Sequence, residues 1–512
     1  DKVIVSIGIF FIYFITALDI SATGTIQPRV LSDFNSMTRA GVISTTTYLL
    51  IAGIRPGFAK ISDVFGYLHA LVLSTTLHTL GFLICAVAQS FNAVFAGSVI
   101  SGIGQGGYGT LVSMIIADIL PIHLRGSITA YVSIPNITNY YLGIEVGNGL
   151  YNKWHWVYGI LCILAVVCSI PAFLALYRVD RHTRNAMRIA NSTNTTITKT
   201  SISRRIFNAL LKLDIPGLVL LCGGLLCILS PLGMQLNLQY GWNSAQVIAP
   251  LVIGLITLSL FVIYEYKYAA YPVIAFPLLK NKTFACAISA ATLFFFTTNV
   301  SLFYFNPFIQ VTRDVSAHTA MLLQLGTVGY NVGLFFGGWA MQYSKKYRRW
   351  AWLGWTLVLA AVCLMLLARG GSSGSTNAII AVVQAIYGIG GGILVGCLGI
   401  GVQAAVSKAD LSIAITLYSM VEYIGGVLGE GASTTIWVNL LPTRLQGKMD
   451  ANVDIFSAIN DITYYQSLPK DQRIIVQDGY ISTQRILTIC GICSILLTGV
   501  AMLGLARSNL SD

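Results

Sequence analysis

The chain has 512 residues, of which 55% are hydrophobic and 10% are charged. A soluble protein of this size carries about a quarter charged residues, so the composition excludes a soluble globule and indicates a polytopic membrane protein. We expect the formal net charge of +12 to lie in cytoplasmic loops rather than on a nucleic-acid-binding surface, because basic residues concentrate on the cytoplasmic side of membrane proteins.

Fourteen apolar runs follow one another along the chain. A run of about 20 apolar residues is long enough to cross a bilayer as an α-helix, which satisfies its own backbone hydrogen bonds. The runs predict an all-α membrane protein with both termini in the cytoplasm. They cover residues 3–26, 41–60, 70–89, 93–118, 127–146, 156–177, 215–232, 247–267, 283–306, 317–342, 351–368, 378–404, 411–440 and 485–506.

Basic residues agree with this orientation, because they cluster in loops that the span count places in the cytoplasm. Lys280 and Lys282 follow span eight, and a larger set follows spans six and ten. That set contains Arg178, Arg181, Arg184, Arg188, Lys199, Arg204, Arg205, Lys212, Lys345, Lys346, Arg348 and Arg349.

The two ends of the chain repeat weakly. The run Gly102–Gly106 in span four is matched by Gly388–Gly392 in span twelve, and the turn at 57–66 is matched in position by 338–347. The repeat predicts two six-helix bundles that rock against each other around a central substrate. The alternative is that glycine-rich helices merely pack closely. The predicted units are 1–177, a basic cytoplasmic loop at 178–214, two inserted helices at 215–268, and a second bundle at 282–512.

The longest outer segment, 441–484, is polar and too long for a simple connection. We expect it to act as a lid over the outer mouth of the bundle. Its tyrosines Tyr464, Tyr465 and Tyr480 are the candidate lid residues.

Three short motifs carry a family resemblance. The stretch from Gly57 to Gly66 resembles the signature between helices two and three of the major facilitator superfamily. Ile116-Ala-Asp118 followed by Arg125-Gly126, and Tyr480 followed by Gln484-Arg485, resemble the fungal siderophore-iron transporters. Fourteen spans with a long last outer loop fit that subfamily. The sequence departs from the signature at Tyr67, Leu68 and His69, where basic residues are usual.

The resemblance implies a major facilitator fold and proton-coupled import of ferric siderophores. The same family includes haem importers and glutathione/proton exchangers, which remain alternatives, as does a non-transporting nutrient receptor with a transporter fold. The resemblance also supports an inner gate of ion pairs among Asp63, Asp118 and Arg125, which fall at the cytoplasmic ends of spans. The alternative role for these three is that of ordinary charges at helix ends.

Ionisable residues within predicted spans are functional candidates, because a charge inside the membrane is costly. The proton-coupling candidates are Asp19, Arg55, Glu145, Glu422 and Glu430. The alternative for Asp19 and Glu422 is a structural ion pair, with Arg55 as the one obvious intramembrane basic partner. For Glu145 and Glu430 the alternative is a solvated position in the outer vestibule.

A large ferric chelate needs an aromatic cavity with amide donors. Polar and aromatic residues inside apolar spans are the candidates, although each alone is compatible with ordinary helix packing. They are Tyr48, Tyr108, Asn136, Asn139, Tyr140, Asn299, Phe303, Tyr304, Asn331, Tyr418 and Tyr423.

The sequence contains no nucleotide-binding loop, metal-ligand spacing or nucleophile motif, and its ten cysteines lie in apolar runs. We therefore expect a transporter rather than an enzyme, with no cofactor and no metal site, and with iron entering only inside its substrate. The expected partners are a small-molecule ferric chelate, protons and the lipid bilayer, with the protein as a monomer. The expected location is the plasma membrane, with an endosomal or vacuolar membrane as the alternative.

Overall fold

The structure is a computed structural model, and it describes residues 2–34, 40–191, 214–233, 244–269, 276–367, 374–408, 410–450, 453–460 and 462–506. The described residues form helices joined by short turns, which confirms the all-α prediction. The basic residues Lys199, Arg204, Arg205 and Lys212 lie outside the described residues.

The first bundle and the inserted helices come first in chain order. They are α1 (Lys2–Asp33), α2 (Ala40–Phe65), α3 (Tyr67–Ala86), α4 (Phe91–Ile119), α5 (Ile122–Val132), α6 (Pro135–Gly149), a 3-10 turn (Tyr151–Lys153), α7 (Trp154–Asn191), α8 (Ile215–Gly233) and α9 (Ala245–Lys267).

The remaining helices build the second bundle. They are α10 (Phe276–Leu279), α11 (Lys282–Leu302), α12 (Phe305–Arg313), α13 (Ala317–Leu322), α14 (Gly326–Ser344), α15 (Tyr347–Leu367), α16 (Gly374–Ala404), α17 (Leu411–Leu445), α18 (Ile455–Asn460), α19 (Ile462–Ser467) and α20 (Lys470–Met502).

Helices occupy each of the fourteen predicted spans, and eleven described helical segments are long and apolar enough to cross a membrane. The count of fourteen stays a prediction. Predicted spans five, nine and ten are each broken into two helices. In span five, Pro135 occupies the first turn of α6, where its missing N–H needs no partner, and the helix therefore restarts there.

The stretch from Gly57 to Gly66 ends in a one-residue link. α2 continues to Phe65, and Gly66 (φ 88°) connects it directly to α3. Glycine adopts this left-handed backbone at no steric cost. The matching link between α14 and α15 also contains a left-handed residue, Lys345 (φ 52°). The weak sequence repeat therefore coincides with a similar turn geometry.

Two bundles pack side by side. In the first half, α1 packs on α6 and α7, and α3 packs on α4. In the second half, α14 and α15 pack on α16, and α11 packs on α17 and α20. The halves meet along two seams, α2 against α17 and α5 against α14. Of the inserted helices, α8 touches both α2 and α17, while α9 packs on α8.

The predicted outer segment at 441–484 is largely helical. α17 extends to Leu445 and α20 already begins at Lys470, so only residues 446–469 join these two helices. The last helix therefore begins about four helical turns before residue 485, and the start of the membrane span at 485 stays a prediction. The polar composition of the first turns of α20 concealed this helix.

Candidate transport cavity

The largest of the cavities described here lies between the two halves and has a volume of about 480 Å³. Its walls combine phenol, hydroxyl and side-chain amide groups with aliphatic surface, and Arg55 is the one charged residue that the described lining contains. Polar lining residues include Tyr13, Thr16, Ser21, Gln105, Tyr108, Asn136, Tyr140, Asn306, Gln324, Thr327, Tyr330, Asn331 and Tyr423.

Two smaller cavities adjoin the central one. The first, about 220 Å³, lies in the first half; it contains Asp19 and shares Gln105 and Tyr423 with the central cavity. The second, about 350 Å³, lies in the second half and shares Tyr330 with the central cavity. Its other walls include Phe294, Phe295, Thr298, Gln384 and Tyr387. The central cavity therefore has an acidic extension on one side and an aromatic one on the other.

The predicted substrate residues separate into three groups. The central cavity is lined by Tyr108, Asn136, Tyr140, Asn331 and Tyr423. The acidic side cavity is lined by Tyr48 and Tyr423. Outside the three cavities lie Asn139, Asn299, Phe303, Tyr304 and Tyr418.

The residues outside the cavities have structural partners. The amide of Asn139 donates to the carbonyl oxygen of Phe14 at 2.7 Å, which joins α6 to α1. The ring of Tyr304 stacks on Trp437 with centroids 4.6 Å apart. The phenol of Tyr418 donates to the carbonyl oxygen of Val395 at 3.0 Å. The alternative of helix packing therefore describes these residues in this conformation.

Sequence reasoning missed Tyr13, Gln105 and Gln324 as lining residues. Gln105 precedes Tyr108 by three positions on α4, so the two occupy one helix face. That spacing was visible in the sequence, whereas the α1 face that carries Tyr13 showed no comparable pattern.

Two predicted residues cross the α2–α17 seam at the cavity wall. The guanidinium carbon of Arg55 lies 4.5 Å from the ring centre of Tyr423, a cation–π contact. Arg55 also interacts electrostatically with Glu422, whose carboxylate shares a hydrogen bond with Tyr418. The charges of this cluster therefore come from opposite halves of the molecule.

Glu430 lies on the same seam, two helical turns from Glu422. It is 2% exposed and accepts a 3.4 Å hydrogen bond from the hydroxyl of Thr45 on α2. The alternative that Glu430 is solvated in a vestibule was therefore wrong for this conformation.

Asp19 has a partner that sequence reasoning overlooked. Nε2 of His78 on α3 lies 3.7 Å from Oδ2 of Asp19, and both side chains are buried. The interpretation that Arg55 is the one obvious basic partner was wrong for Asp19. The pairing of α1 with α3 through one histidine has no signature in a single sequence.

Glu145 lies apart from these buried acids. Its side chain is 63% exposed, and its Oε1 lies 2.8 Å from Nε2 of His318 on α13. Close by, the phenol of Tyr140 donates to the carbonyl oxygen of Met321 at 3.1 Å. These contacts join α6 to α13 at the end of the bundle opposite Asp63.

The halves also meet at the end that carries Asp63, here called the Asp63 end. A buried apolar cluster closes this end of the cavity. It contains Ala59, Met114, Ala117, Leu411 and Ile415. Gly338 of α14 approaches Gly126 of α5 so closely that a Cβ on Gly338 would lie 2.5 Å from the Gly126 carbonyl oxygen.

The polar contacts at the Asp63 end differ from the predicted ion pairs. Nη1 of Arg125 donates to Oε1 of Gln403 across the halves at 2.9 Å. Asp63 shares a hydrogen bond with Ser412, while Asp118 accepts one from Tyr67. In the described part of the chain no ion pair joins Asp63 to Arg125, so that detail of the predicted gate was wrong. Arg125 does interact electrostatically with Asp118, the third member of the predicted gate.

Tyr67 occupies a position where the superfamily signature usually has a basic residue. This explains why Asp118 accepts a hydrogen bond here instead of forming an ion pair. The phenol of Tyr67 provides the hydrogen-bond donor that Asp118 needs without adding a charge. At the same end, the hydroxyl of Ser127 donates to Oε1 of Gln342 at 2.7 Å, again across the halves. Hydrogen bonds to uncharged partners therefore take the place of some of the predicted ion pairs.

The three predicted lid tyrosines pack within the second half. The phenol of Tyr465 donates to the carbonyl oxygen of Val311 at 3.0 Å, and burial raises the pKa of Tyr465. The phenol of Tyr480 donates to the carbonyl oxygen of Ile459 at 2.9 Å. The phenol of Tyr464 accepts from the backbone of Asp454 at 3.3 Å. None of the three lines the described cavities, so in this conformation they anchor the segment to its own half.

A short helix within this segment is capped by Asp454. Its carboxylate accepts from the backbone N–H of Phe456 at 3.0 Å and from the hydroxyl of Ser457 at 2.6 Å. The bond from Ser457 lowers the pKa of Asp454, because it favours the charged carboxylate. The cap stabilises the start of α18.

Comparison with known proteins decides the family. The sequence pattern of the Major Facilitator Superfamily matches residues 9–430, well over half of the chain. This chain belongs to the Major Facilitator Superfamily. As a member of that family it is a multi-pass membrane protein and a transporter rather than an enzyme.

Two fungal relatives and one solved structure locate the chain within the superfamily. Siderophore transporter fer7 of Mycosarcoma maydis is 28% identical over 84% of this chain and 68% of its own length. The MFS siderochrome iron transporter C of Aspergillus fumigatus is 26% identical over 96% of this chain and 82% of its own length. The human organic anion transporter MFSD10 shares the fold, with a TM-score of 0.57, 14% identity, and coverage of 96% of this chain and 98% of that one.

Proposed function

We propose that this facilitator imports ferric siderophore chelates by alternating access, with protons as the coupling ion. The observation that carries the proposal is the central cavity, whose described lining contains many amide and phenol groups and one guanidinium. A ferric hydroxamate encloses its metal and presents amide-type oxygens on an otherwise apolar surface. Side-chain amides and phenols can donate to such oxygens.

The fungal relatives support the substrate class. Both are siderophore-iron transporters, and their similarity extends over most of this chain. We propose that Gln105, Asn136 and Gln324 donate to the chelate, while Tyr140 and Tyr423 pack against its apolar surface. Arg55 gives the cavity a positive charge, which suits a neutral or anionic chelate better than a cationic one.

The contacts between the halves support alternating access. The Asp63 end is closed by apolar packing and by the Arg125–Gln403 hydrogen bond, while the cavity lies farther along the two seams. Rocking of one half against the other around a fixed site would open one end as the other closes. Asp19 and Glu430 are buried and Glu422 is partly buried, and their carboxylates are the groups where a proton can bind during this cycle.

The remaining assignments complete the proposal. We place the facilitator in the plasma membrane as a monomer with both termini in the cytoplasm, and an endosomal or vacuolar membrane is the alternative. Iron enters as part of the substrate, inside its chelator.

Competition binding to the purified protein tests the substrate class. We expect a panel of ferric hydroxamates to displace one another, and the corresponding gallium chelates to displace them equally well because gallium has the same charge and coordination. Haem and glutathione should not compete at similar concentrations. Displacement by haem or glutathione alone would contradict the proposal and favour the haem importer or the glutathione exchanger. Binding of chelate without uptake into liposomes would instead indicate a receptor.

A further inference from the structure

Asp19 and His78 form a buried pair within the first half. Asp19 lies on α1 and His78 on α3, with 3.7 Å between Oδ2 of the acid and Nε2 of the imidazole. The His78 side chain has no solvent exposure, and that of Asp19 is 10% exposed. Nε2 of His78 has no hydrogen-bond partner in the described part of the chain.

The other ring nitrogen of His78 determines its tautomer. Nδ1 lies 3.0 Å from the carbonyl oxygen of Ser101 on α4 and 3.0 Å from the hydroxyl of the same residue. A carbonyl oxygen only accepts hydrogen bonds, so the carbonyl contact requires Nδ1 to carry the hydrogen and donate it to Ser101. The Ser101 hydroxyl can donate or accept, and it is compatible with this tautomer. In the neutral ring, Nε2 then presents a lone pair.

That lone pair lies beside the Asp19 carboxylate, which is also an acceptor. Two acceptors facing each other away from water repel, and one proton on either group converts the repulsion into attraction. A hydrogen bond then needs the two atoms to approach from 3.7 Å to within about 3.2 Å. The proton resides either on Asp19, with O–H directed at Nε2, or on Nε2, with N–H directed at the carboxylate. In both forms the pair holds one proton.

Among the described residues that interact electrostatically with Asp19, there is no competing base. Titratable groups from α2, α3, α4 and α7 interact electrostatically with Asp19, namely Tyr48, Cys85, Tyr108 and Tyr158. Tyrosine and cysteine are ordinarily neutral at physiological pH. Among these groups His78 is therefore the one that can share the proton.

Asp19 also has a route to the transport pathway. It lines the acidic side cavity of about 220 Å³, and that cavity shares Ile20, Gly24 and Gln105 with the central one. A hydronium ion in the side cavity can give its proton to the pair, which forms one O–H or N–H bond and leaves a water molecule. Release is the reverse step, in which the pair gives its proton to a water molecule and forms hydronium again.

We infer that Asp19 and His78 together form a one-proton site, with His78 oriented by Ser101, and that this site holds the coupling proton. The inference rests on the proposed function, because it names where that proton is held. Both residues belong to the same half, so the pair stays together while the halves rock.

Infrared difference spectroscopy of the purified protein in lipid nanodiscs tests the site without any transport substrate. In the unmodified protein we expect a carboxylic C=O band and imidazole bands that titrate at one common midpoint pH, because one shared proton links them. Separate midpoints for the carboxyl and imidazole bands would overturn the inference. This measurement needs no variant, so it stands even if a substitution impairs folding.

Variants then assign the bands. Asp19→Asn should remove the carboxylic band that titrates together with the imidazole bands, while the bands of other carboxyl groups such as Glu422 and Glu430 stay. His78→Gln should move the midpoint of the Asp19 band to lower pH by about one unit, a tenfold loss of proton affinity, because the amide donates to the carboxylate where the imidazole lone pair repelled it. The matched control is Thr76→Val, an isosteric change at an exposed position on the same helix. A carboxylic band that still titrates together with the imidazole bands in Asp19→Asn, or an unchanged midpoint in His78→Gln, would contradict the inference.

Transport measurements separate this inference from the proposed function. If ferric chelates are not substrates, the infrared titration is unaffected and only the transport role fails. If they are substrates, the pH dependence of uptake should shift in His78→Gln in the same direction as the carboxylic band. An infrared shift without a shift in the uptake profile would leave the proton site in place but exclude it as the coupling site.

Discussion

The two buried acid clusters of this facilitator differ in where their partners lie. Asp19 has His78 within its own half, whereas Glu422 interacts with Arg55 across the seam between α2 and α17. Movement of the halves leaves the first pair intact and changes the surroundings of the second. Under the proposed function we therefore expect the pair within one half to bind the proton, and the cluster across the seam to couple the two halves.

The largest expected effect comes from the cross-seam acid. Glu422→Gln removes the charge that interacts with Arg55, so both uptake and the balance between outward and inward states should change. We expect uptake to fall by at least about tenfold, which corresponds to roughly 1.4 kcal/mol. Initial uptake rates measure the first effect, and spin-label distances between the halves measure the second.

The matched control for this test is Asp471→Asn, which changes an exposed acid in the first turn of α20. An unchanged distance distribution in Glu422→Gln would remove Glu422 from the coupling between the halves.

Asp19→Asn should separate the two clusters. Uptake should lose most of its dependence on external pH, because the amide cannot take up a proton. The spin-label distances between the halves should stay close to those of the unmodified protein, since Asp19 makes no ion pair across the seam in the described structure. A distance change as large as that of Glu422→Gln would show that Asp19 also affects the coupling between the halves, so the two clusters would not have separate roles.

A smaller effect is expected at the Asp63 end. Arg125→Ala and Gln403→Ala each remove the same 2.9 Å hydrogen bond between the halves. A hydrogen bond to a charged group contributes about 1.5–3 kcal/mol, so each variant should populate the state that is open at this end. Accessibility of a cysteine placed near Ser412 reports that opening.

The double variant sharpens this test. If the two residues act through one bond, the Arg125→Ala/Gln403→Ala protein should open little more than either single variant. Fully additive effects would show that Arg125 and Gln403 contribute to closure independently.

The smallest effect is expected for Glu145→Gln. Its side chain is mostly exposed and pairs with His318 near the surface, and such pairs contribute between about 0 and 1 kcal/mol. Uptake should change by less than about fivefold, which corresponds to the upper end of that range. A loss comparable to that of Glu422→Gln would restore Glu145 as a coupling residue.

The fold was largely readable from the sequence because each helix needs its own apolar run. The one-residue link at Gly66 also had a clear signal, since the glycine closes a motif between two such runs. The early start of α20 had no comparable signal, because polar residues interrupt the apolar ones from Lys470 to Gln484 and this stretch contacts α12 and Ile459. Apolar run length alone underestimates a helix that extends beyond the membrane.

The candidate site was less predictable. Arg55 and Tyr423 stand out as polar residues in apolar spans, and the structure brings them together at the cavity wall. Asn139 stands out equally, yet its amide joins α6 to α1. His78 was missed because its significance depends on the α1–α3–α4 arrangement that places it between Asp19 and Ser101. The face of a polar helix that points toward the cavity is set by how the helices pack, so a single sequence does not reveal it.

Proton-driven uptake is the most direct test of the central claim. Purified facilitator in proteoliposomes should accumulate a radiolabelled ferric hydroxamate when the outside is acidic, and a protonophore should abolish the accumulation. Asp19→Asn should take up the chelate only to equilibrium, with the same rate at each external pH. Accumulation that persists with the protonophore present, or that is unchanged in Asp19→Asn, would contradict the account.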